Sequence, residues 1–525
     1  MIKNNKICFA LILALNIFLS FGFCAEDDLL TIAKKYQGIH KYSTLFTAHD
    51  VRKYLSSEDG IKNAINWCKK TGVLKVYIES FRDGYQAERS VLINARDIFK
   101  KEGFEVSGCV TTTKVGKPST GWKDTISCYT DLHTQERLKS IFEYTAEMFD
   151  EIMIDDFWFT DCTCPDCDTS RKSKIVKIGN KQFPVSGDSW EDYRCELMLD
   201  LSKEYVIKTS KTINPACKII IKYPQWYDRF HERGYDVIRE TEVFDKIWVG
   251  TETRDYEDKR WGGTVQYEGF FIMRWLGEIG GKKCGGGWFD WLGTTEKTYI
   301  EQARQTILGG AAESFLFCYG GLQRDTGPKN IEALRQNIPE LLQIAQQVKK
   351  RKIIGIAAYK PANSHPEEEA MVFDFVGMMG LPLVPTHKFP VSFPVAFFSV
   401  HSLKDNDFLK NFKDYIGKGN LAFITDGLAK RIGEKIDLNS SKIIVLKVSG
   451  NPKSLLQLSQ KELDDFRGKL LVPYKIQFKA PNKVGLYAFS DGSYVIENFN
   501  DQLVEVEYNS KKIKIQPRNW MYEWK

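Results

Sequence analysis

The 525-residue chain lacks most of the features that announce a partner. There is no basic cluster: Lys and Arg are dispersed, and the formal charge of +6 falls by two once Lys3 and Lys6 leave with the leader, which argues against nucleic acid. No segment after the leader is apolar enough to cross a bilayer. Cysteine is scarce and scattered: of twelve, Cys8 and Cys24 lie in the leader, and most of the rest stand alone on expected strands or helices, as at Cys109, Cys217 and Cys318. That is not the spacing of a disulfide framework. No internal repeat or low-complexity tract occurs.

The leader itself is informative. Lys3 and Lys6 precede an apolar run from Ile7 to about Phe23, followed by Glu26, Asp27 and Asp28. Residues 1–25 read as an export signal, giving a periplasmic or secreted product. A membrane anchor is the alternative, disfavoured by marginal length and the absence of a basic stop. Cys24 before acidic residues suits a surface lipoprotein, although Phe23 is bulkier than the small residue lipidation prefers. With the leader cleaved as an export signal, the product meets a membrane only if Cys24 is lipidated.

About 500 residues remain, more than one ordinary core holds. From residue 39 to 348, eight short apolar runs alternate with helix-like segments: residues 43–47, 73–80, 104–110, 151–157, 218–223, 246–251, 286–291 and 314–320. Between them, Ser189 with Asp192 forms a capping pattern, and Tyr193, Leu197, Leu201 and Tyr205 recur along one helix face. Eight strand-helix units in this length predict a (β/α)8 TIM barrel over residues 26–350. Residues 351–455 hold three further apolar strands separated by helices, a small doubly wound α/β domain without a glycine-rich phosphate loop. Residues 456–525 alternate in polarity, with turns at Asp491-Gly492 and Asn509-Ser510, and predict a C-terminal antiparallel β domain.

A barrel carries its chemistry where its strands end. The run Glu151 to Ile154 stops at Asp155 and Asp156, because unpaired charge is costly in an apolar core. The other run ends supply Glu79, Lys222, Tyr223, Gln225, Trp226, Glu252, Asp255, Asp290, Trp291 and Tyr319. Two carboxylates across a barrel mouth are the equipment for cleaving a glycosidic bond. Asp156 with Glu252 is the best pair. Strand alternation leaves Asp155 as the alternative: if Ile152 and Ile154 face the helices, Asp155 points inward, and Asp156 enters the pocket only if the strand geometry breaks at its end. Glu79, Trp158, Lys222, Trp226, Asp290 and Tyr319 are expected to line the sugar site. The tryptophans at 158, 226, 248, 261, 275, 288 and 291 offer flat faces for a pyranose, or for ordinary packing. The substrate class this favours is carbohydrate.

Cys162, Cys164 and Cys167 form Cys-x-Cys-x-x-Cys, which ligates a structural zinc if Cys195 or His231 arrives as fourth donor, or else holds a loop disulfide. No cofactor is expected for catalysis itself.

The cysteine loop after strand four, the barrel, the α/β domain with FDFVGMMGLPLVPTHKFP at residues 373–390 and the β end-domain together resemble the β-galactosidases of glycoside hydrolase family 42. The resemblance implies a TIM barrel, a trimerisation domain with a glutamine-amidotransferase-like fold, hence a homo-oligomer through the α/β domain, and a C-terminal β domain. It departs at the catalytic step. That family has Asn-Glu after strand four and Glu after strand seven, where this chain has Asp155-Asp156 and Asp290, so β-galactosidase activity is not implied. Asp156 and Glu252 match, by position only, the plan of α-galactosidases, whose strand-four Asp is the nucleophile. A non-catalytic glycan-binding protein and an oligomeric surface scaffold are the rival readings.

Overall fold

The structure is a computed structural model that describes residues 28–254 and 265–525. The leader with Cys24, and Asp255 and Trp261, lie outside the described residues. Eight parallel strands, β1 (Lys41–Phe46), β2 (Val73–Arg82), β3 (Glu105–Val110), β4 (Glu151–Ile154), β5 (Lys218–Tyr223), β6 (Lys246–Gly250), β7 (Cys284–Asp290) and β8 (Glu313–Phe317), pair each with the next. The ring closes where Lys41 to Thr44 of β1 run beside Glu313 to Leu316 of β8. All eight apolar runs therefore become the strands of a closed (β/α)8 barrel.

Runs such as KIIIKY form strands because β-branched side chains suit a sheet buried on both faces. Alternation then sorts them. Ile152, Ile154, Ile219 and Ile221 pack outward into the main core. Tyr77, Cys109, Met153, Ile220, Trp248, Trp288 and Phe315 fill the barrel interior. Two residues on from Tyr77, Met153, Ile220 and Trp288, the same period delivers Glu79, Asp155, Lys222 and Asp290 to the C-terminal mouth.

Among the outer helices, Trp190–Leu201 starts where the Ser189 hydroxyl accepts the Asp192 N–H at 3.0 Å. Tyr193, Leu197 and Leu201 form its buried stripe.

Five parallel strands make the second sheet: β9 (Ile356–Tyr359), β10 (Leu383–Thr386), β11 (Val395–Phe398), β12 (Leu421–Thr425) and β13 (Ile443–Leu446), ordered β10-β9-β11-β12-β13. Three were expected. IAAY carries two alanines and LVPT a proline, residues depleted in strands, so neither registers as a strand until neighbouring strands bury it.

The C-terminal region holds a three-stranded and a four-stranded antiparallel sheet. Ile353–Ile354 joins the latter by pairing with Phe489 and Ala488, so the chain touches this sheet before it builds the α/β domain. Asn509 and Ser510, at φ 47° and 66°, form the tight hairpin turn between Val504–Tyr508 and Lys511–Ile515.

Candidate active site

Three cations and five carboxylates meet at the barrel mouth. Lys222, fully buried, donates to Asp156 Oδ2 at 2.7 Å and to Glu252 Oε1 at 2.5 Å, while its ammonium rests over the Trp288 ring. Arg82 donates from Nε to Glu79 Oε2 at 2.9 Å and from Nη2 to Asp155 Oδ2 at 2.7 Å. Arg254 clasps Asp290 through Nε and Nη2. Each buried charge thus meets an opposite one, as desolvation demands.

Asp155 and Asp156 divide the work. Asp155 follows the strand alternation inward, and both its oxygens are engaged, Oδ2 by Arg82 and Thr111, Oδ1 by the Asp156 N–H. Asp156 enters the site from the turn beyond the strand and keeps 21% of its side chain exposed. Burial opposes ionisation of Asp155, yet Arg82 and Lys222 outweigh it and hold the carboxyl below its ordinary value. Burial pushes Asp156 up to about 6, against the pull of Lys222 and with the push of Asp155. Burial likewise raises Glu252 to about 7, with Lys222 opposing and Asp156 and Asp290 adding. Glu252 Oε2 is buried without a hydrogen-bond partner among the described residues. Gly250 makes room for it: a Cβ there would meet that oxygen at 2.4 Å.

Over residues 29–355 the sequence matches the family described as probable glycosyl hydrolase, catalytic domain. The chain belongs to this family. An uncharacterized protein of Saccharolobus solfataricus is 28% identical over 356 residues, 62% of this chain and 57% of that protein, so the match spans little more than half of that relative. A catalytic mutant of the GH42 β-galactosidase Gan42B from G. stearothermophilus superposes with a TM-score of 0.61 at 10% identity, covering 92% of this chain and 98% of that one. The α-L-fucosidase isoenzyme 2 from Paenibacillus thiaminolyticus gives 0.61 at 9% identity, covering 89% and 93%. At such identities the likeness is one of fold, and the layout it shows is the expected one, a barrel followed by two smaller domains.

In this glycosyl hydrolase domain several expected lining residues sit elsewhere. Trp158 is fully buried, its indole N–H donating to Ser202 Oγ at 2.9 Å, so it braces the wall behind β4 and does not face a sugar. Tyr319 is packed among Phe46, Tyr54 and Trp67. Trp158 lies on the outward side with Ile152 and Ile154, whereas Tyr319 is carried outward by the backbone turn at the end of β8. Glu79 is wholly buried, accepting from Ala48 N and Arg82, and supports Arg82 from beneath. Lys222 and Asp290 reach the mouth but bind protein charges there. Trp226 is half-buried on the rim, against Phe159, Phe230 and Tyr235.

Arg82, Thr111 and Arg254 escaped the reading of the sequence. A bulge between Glu79 and Phe81 resets the alternation of β2 and brings Arg82 back to the mouth. A cleft of about 580 Å³ also opens at the opposite end of the barrel, beside Lys75, Glu151 and Glu313. Its acids and lysines pair with one another, as in Lys75 with Glu151 and Lys41 with Glu105, the signature of a stabilising floor.

Cys162, Cys164 and Cys167 gather with Cys128, their Sγ atoms all within 4.8 Å of one another. Neither Cys195 nor His231 is the fourth donor: the Cys195 thiol donates to the His231 carbonyl, and His231 faces His365. No disulfide joins the described cysteines. Separations of 3.6 to 3.8 Å among Cys128, Cys164 and Cys167 match the edge of about 3.8 Å that four zinc–sulfur bonds of about 2.3 Å define.

Proposed function

We propose that the protein is an exported glycoside hydrolase acting with retention of configuration, with Asp156 as nucleophile and Glu252 as general acid and base. The observation that carries this reading is Lys222, one ammonium bridging both carboxylates. Two oxygens bound to the same nitrogen lie within about 5 Å of each other, the spacing of retaining enzymes, whereas inverting enzymes need about 6.5–9.5 Å to admit a water.

Roles follow from environment. Glu252, with its pKa raised to about 7 and Oε2 unpartnered, protonates the leaving oxygen. Asp156, partly exposed and stabilised as an anion by Lys222, attacks the anomeric carbon to form a glycosyl ester. Glu252, now ionised, takes a proton from the water that hydrolyses the ester. Asp155 positions Asp156 through its backbone N–H and never leaves Arg82.

Cys128, Cys162, Cys164 and Cys167 are proposed to hold a structural zinc. A closed thiolate set supplies rigidity and no open ligand position, so the metal would fasten the loops after β3 and β4 without entering the chemistry. Export rests on the leader over residues 1–25, and membrane attachment would follow only if Cys24 is lipidated.

The test is a panel of α- and β-linked aryl glycosides, with the anomer of the first product followed by NMR. Retention in the wild-type protein, and loss of about 10³-fold or more in Asp156→Asn, is expected. Inversion, or undiminished turnover in Asp156→Asn, overturns the assignment.

A further inference from the structure

Arg233 closes the short turn His231–Arg233 in the loop after β5. Its guanidinium carbon lies 4.5 Å from the Trp122 ring centre, 5.0 Å from Phe159 and 5.1 Å from Trp226. These rings come from the loops after β3, β4 and β5, so three successive loops at the C-terminal face converge on one cation. Aromatic faces attract a guanidinium, but they supply no hydrogen-bond acceptor in the plane of its fork.

No acceptor is supplied from elsewhere. Arg233 makes no ion pair and no side-chain hydrogen bond to the described residues, and Nη1 is buried without a partner. The acids nearby are committed. Asp161 receives the Ser119 hydroxyl on Oδ1 and the Trp122 N–H on Oδ2, and Glu232 pairs with Arg229 and with His365. Every cation at the centre of the mouth, by contrast, has its carboxylate. An unpaired, partly desolvated charge is costly to keep unless something arrives to meet it.

The box adjoins the catalytic pair. Phe159 and Trp226 both pack on Tyr235, with ring centres 6.3 Å and 5.6 Å away, and the Tyr235 hydroxyl donates to the Asp156 carbonyl at 2.7 Å. Two aromatic side chains in series, Phe159 or Trp226 and then Tyr235, therefore link Arg233 to Asp156. On the outer side Trp122 keeps 48% of its surface exposed, a flat face free to stack on a sugar ring.

We propose that Arg233, held by Trp122, Phe159 and Trp226, is a subsite for a sugar residue carrying an anion, a uronate carboxylate or a sulfate ester, adjacent to the scissile bond. This rests on the glycoside hydrolase reading and names its substrate class. Arg suits the task because its fork meets two oxygens of either group at once.

The experiment uses the full-length Asp156→Asn protein, which binds without consuming, on an array of neutral, uronate-bearing and sulfated oligosaccharides, with affinities of the bound glycans measured by calorimetry. The same is done with Arg233→Gln and Arg233→Lys added, each checked for an unchanged thermal midpoint. The bound set is expected to be anionic, and Arg233→Gln to lose about tenfold or more in affinity for it, with Arg233→Lys in between. Uronates and sulfate esters on the array distinguish the two sources of charge. Preference for neutral glycans, or anionic binding undiminished by Arg233→Gln, overturns this proposal while leaving the hydrolase reading intact. No glycan bound and no aryl glycoside cleaved overturns both.

Discussion

Lys222 holds Glu252 by one carboxylate oxygen and leaves the other, Oε2, buried without a hydrogen-bond partner among the described residues. A buried oxygen without a donor is an energetic liability in a resting protein. It is an asset in an enzyme whose substrate brings the missing partner, because the bond then forms only in the complex. The same ammonium fixes Asp156 on its other side, so a single residue on β5 sets the distance between the acids and opposes the rise that burial imposes on both.

Replacing Lys222 tests that double role. In Lys222→Met the two acids lose the charge that opposes their burial, and both titrate higher. The expected result is a fall in kcat/KM of about 100-fold or more, with the acidic limb of its pH profile displaced upward. A variant as active as the wild type at every pH would show that Lys222 merely fills space.

The pH profile of the wild-type enzyme follows from the same shifts. Asp156 must be ionised, which requires pH above about 6, and Glu252 must be protonated, which requires pH below about 7. A narrow bell in kcat/KM between those values is expected, its limbs belonging to the coupled pair as a unit. A profile flat from pH 5 to 9 would contradict the assignment.

Glu252→Gln should depend on the leaving group. An aryl glycoside with an acidic phenol departs without protonation, whereas a natural sugar alcohol does not. The loss is expected to be about 10²–10⁴-fold for the alcohol and far smaller for the phenol, read as a slope of log kcat/KM against leaving-group pKa that steepens in the variant. Equal losses for both would assign Glu252 a different role.

Metal analysis of the purified protein is expected to find one zinc per chain. Cys128→Ser should remove it and lower the thermal midpoint by roughly 5–10 °C, because the loops after β3 and β4 lose their shared fastening. Zinc retained at full occupancy in Cys128→Ser would exclude the four-cysteine site.

Arg467 is a second structural pin. It is almost wholly buried, donates to the carbonyls of Met379 at 2.8 Å and Ala480, and lies over Phe478, tying the α/β domain to the β domain. Arg467→Met orphans those carbonyls and is expected to cost about 3 kcal/mol, seen as an earlier unfolding transition in denaturant. Coincident transitions for variant and wild type would refute it.

Much of this was legible in advance where the physics is local. Val73, Lys218, Lys246 and Glu313 stand at or beside the first residues of apolar runs, and those runs became barrel strands because a parallel sheet buried on both faces must be apolar throughout. Asp156 and Glu252 were legible as charges ending such runs. Trp158 misled although it shares the outward parity of Ile152 and Ile154, and Tyr319 misled because a residue just past a strand end is aimed by the turn and no longer by alternation. IAAY and LVPT escaped as strands because alanine and proline give a run little β signal of its own.

The sequence by itself determined the barrel, its order of strands and the acids at its mouth, since hydrophobic period and charge placement act over a few residues at a time. Only the tertiary structure decided the partners: Arg82 reset by a bulge, Cys128 completing a cluster from another loop, Lys222 joining two acids from different strands, and Arg233 boxed by three rings with no acid of its own. These depend on side chains that lie 30 to 111 residues apart in the chain, or on a one-residue change of register, and no local pattern encodes either.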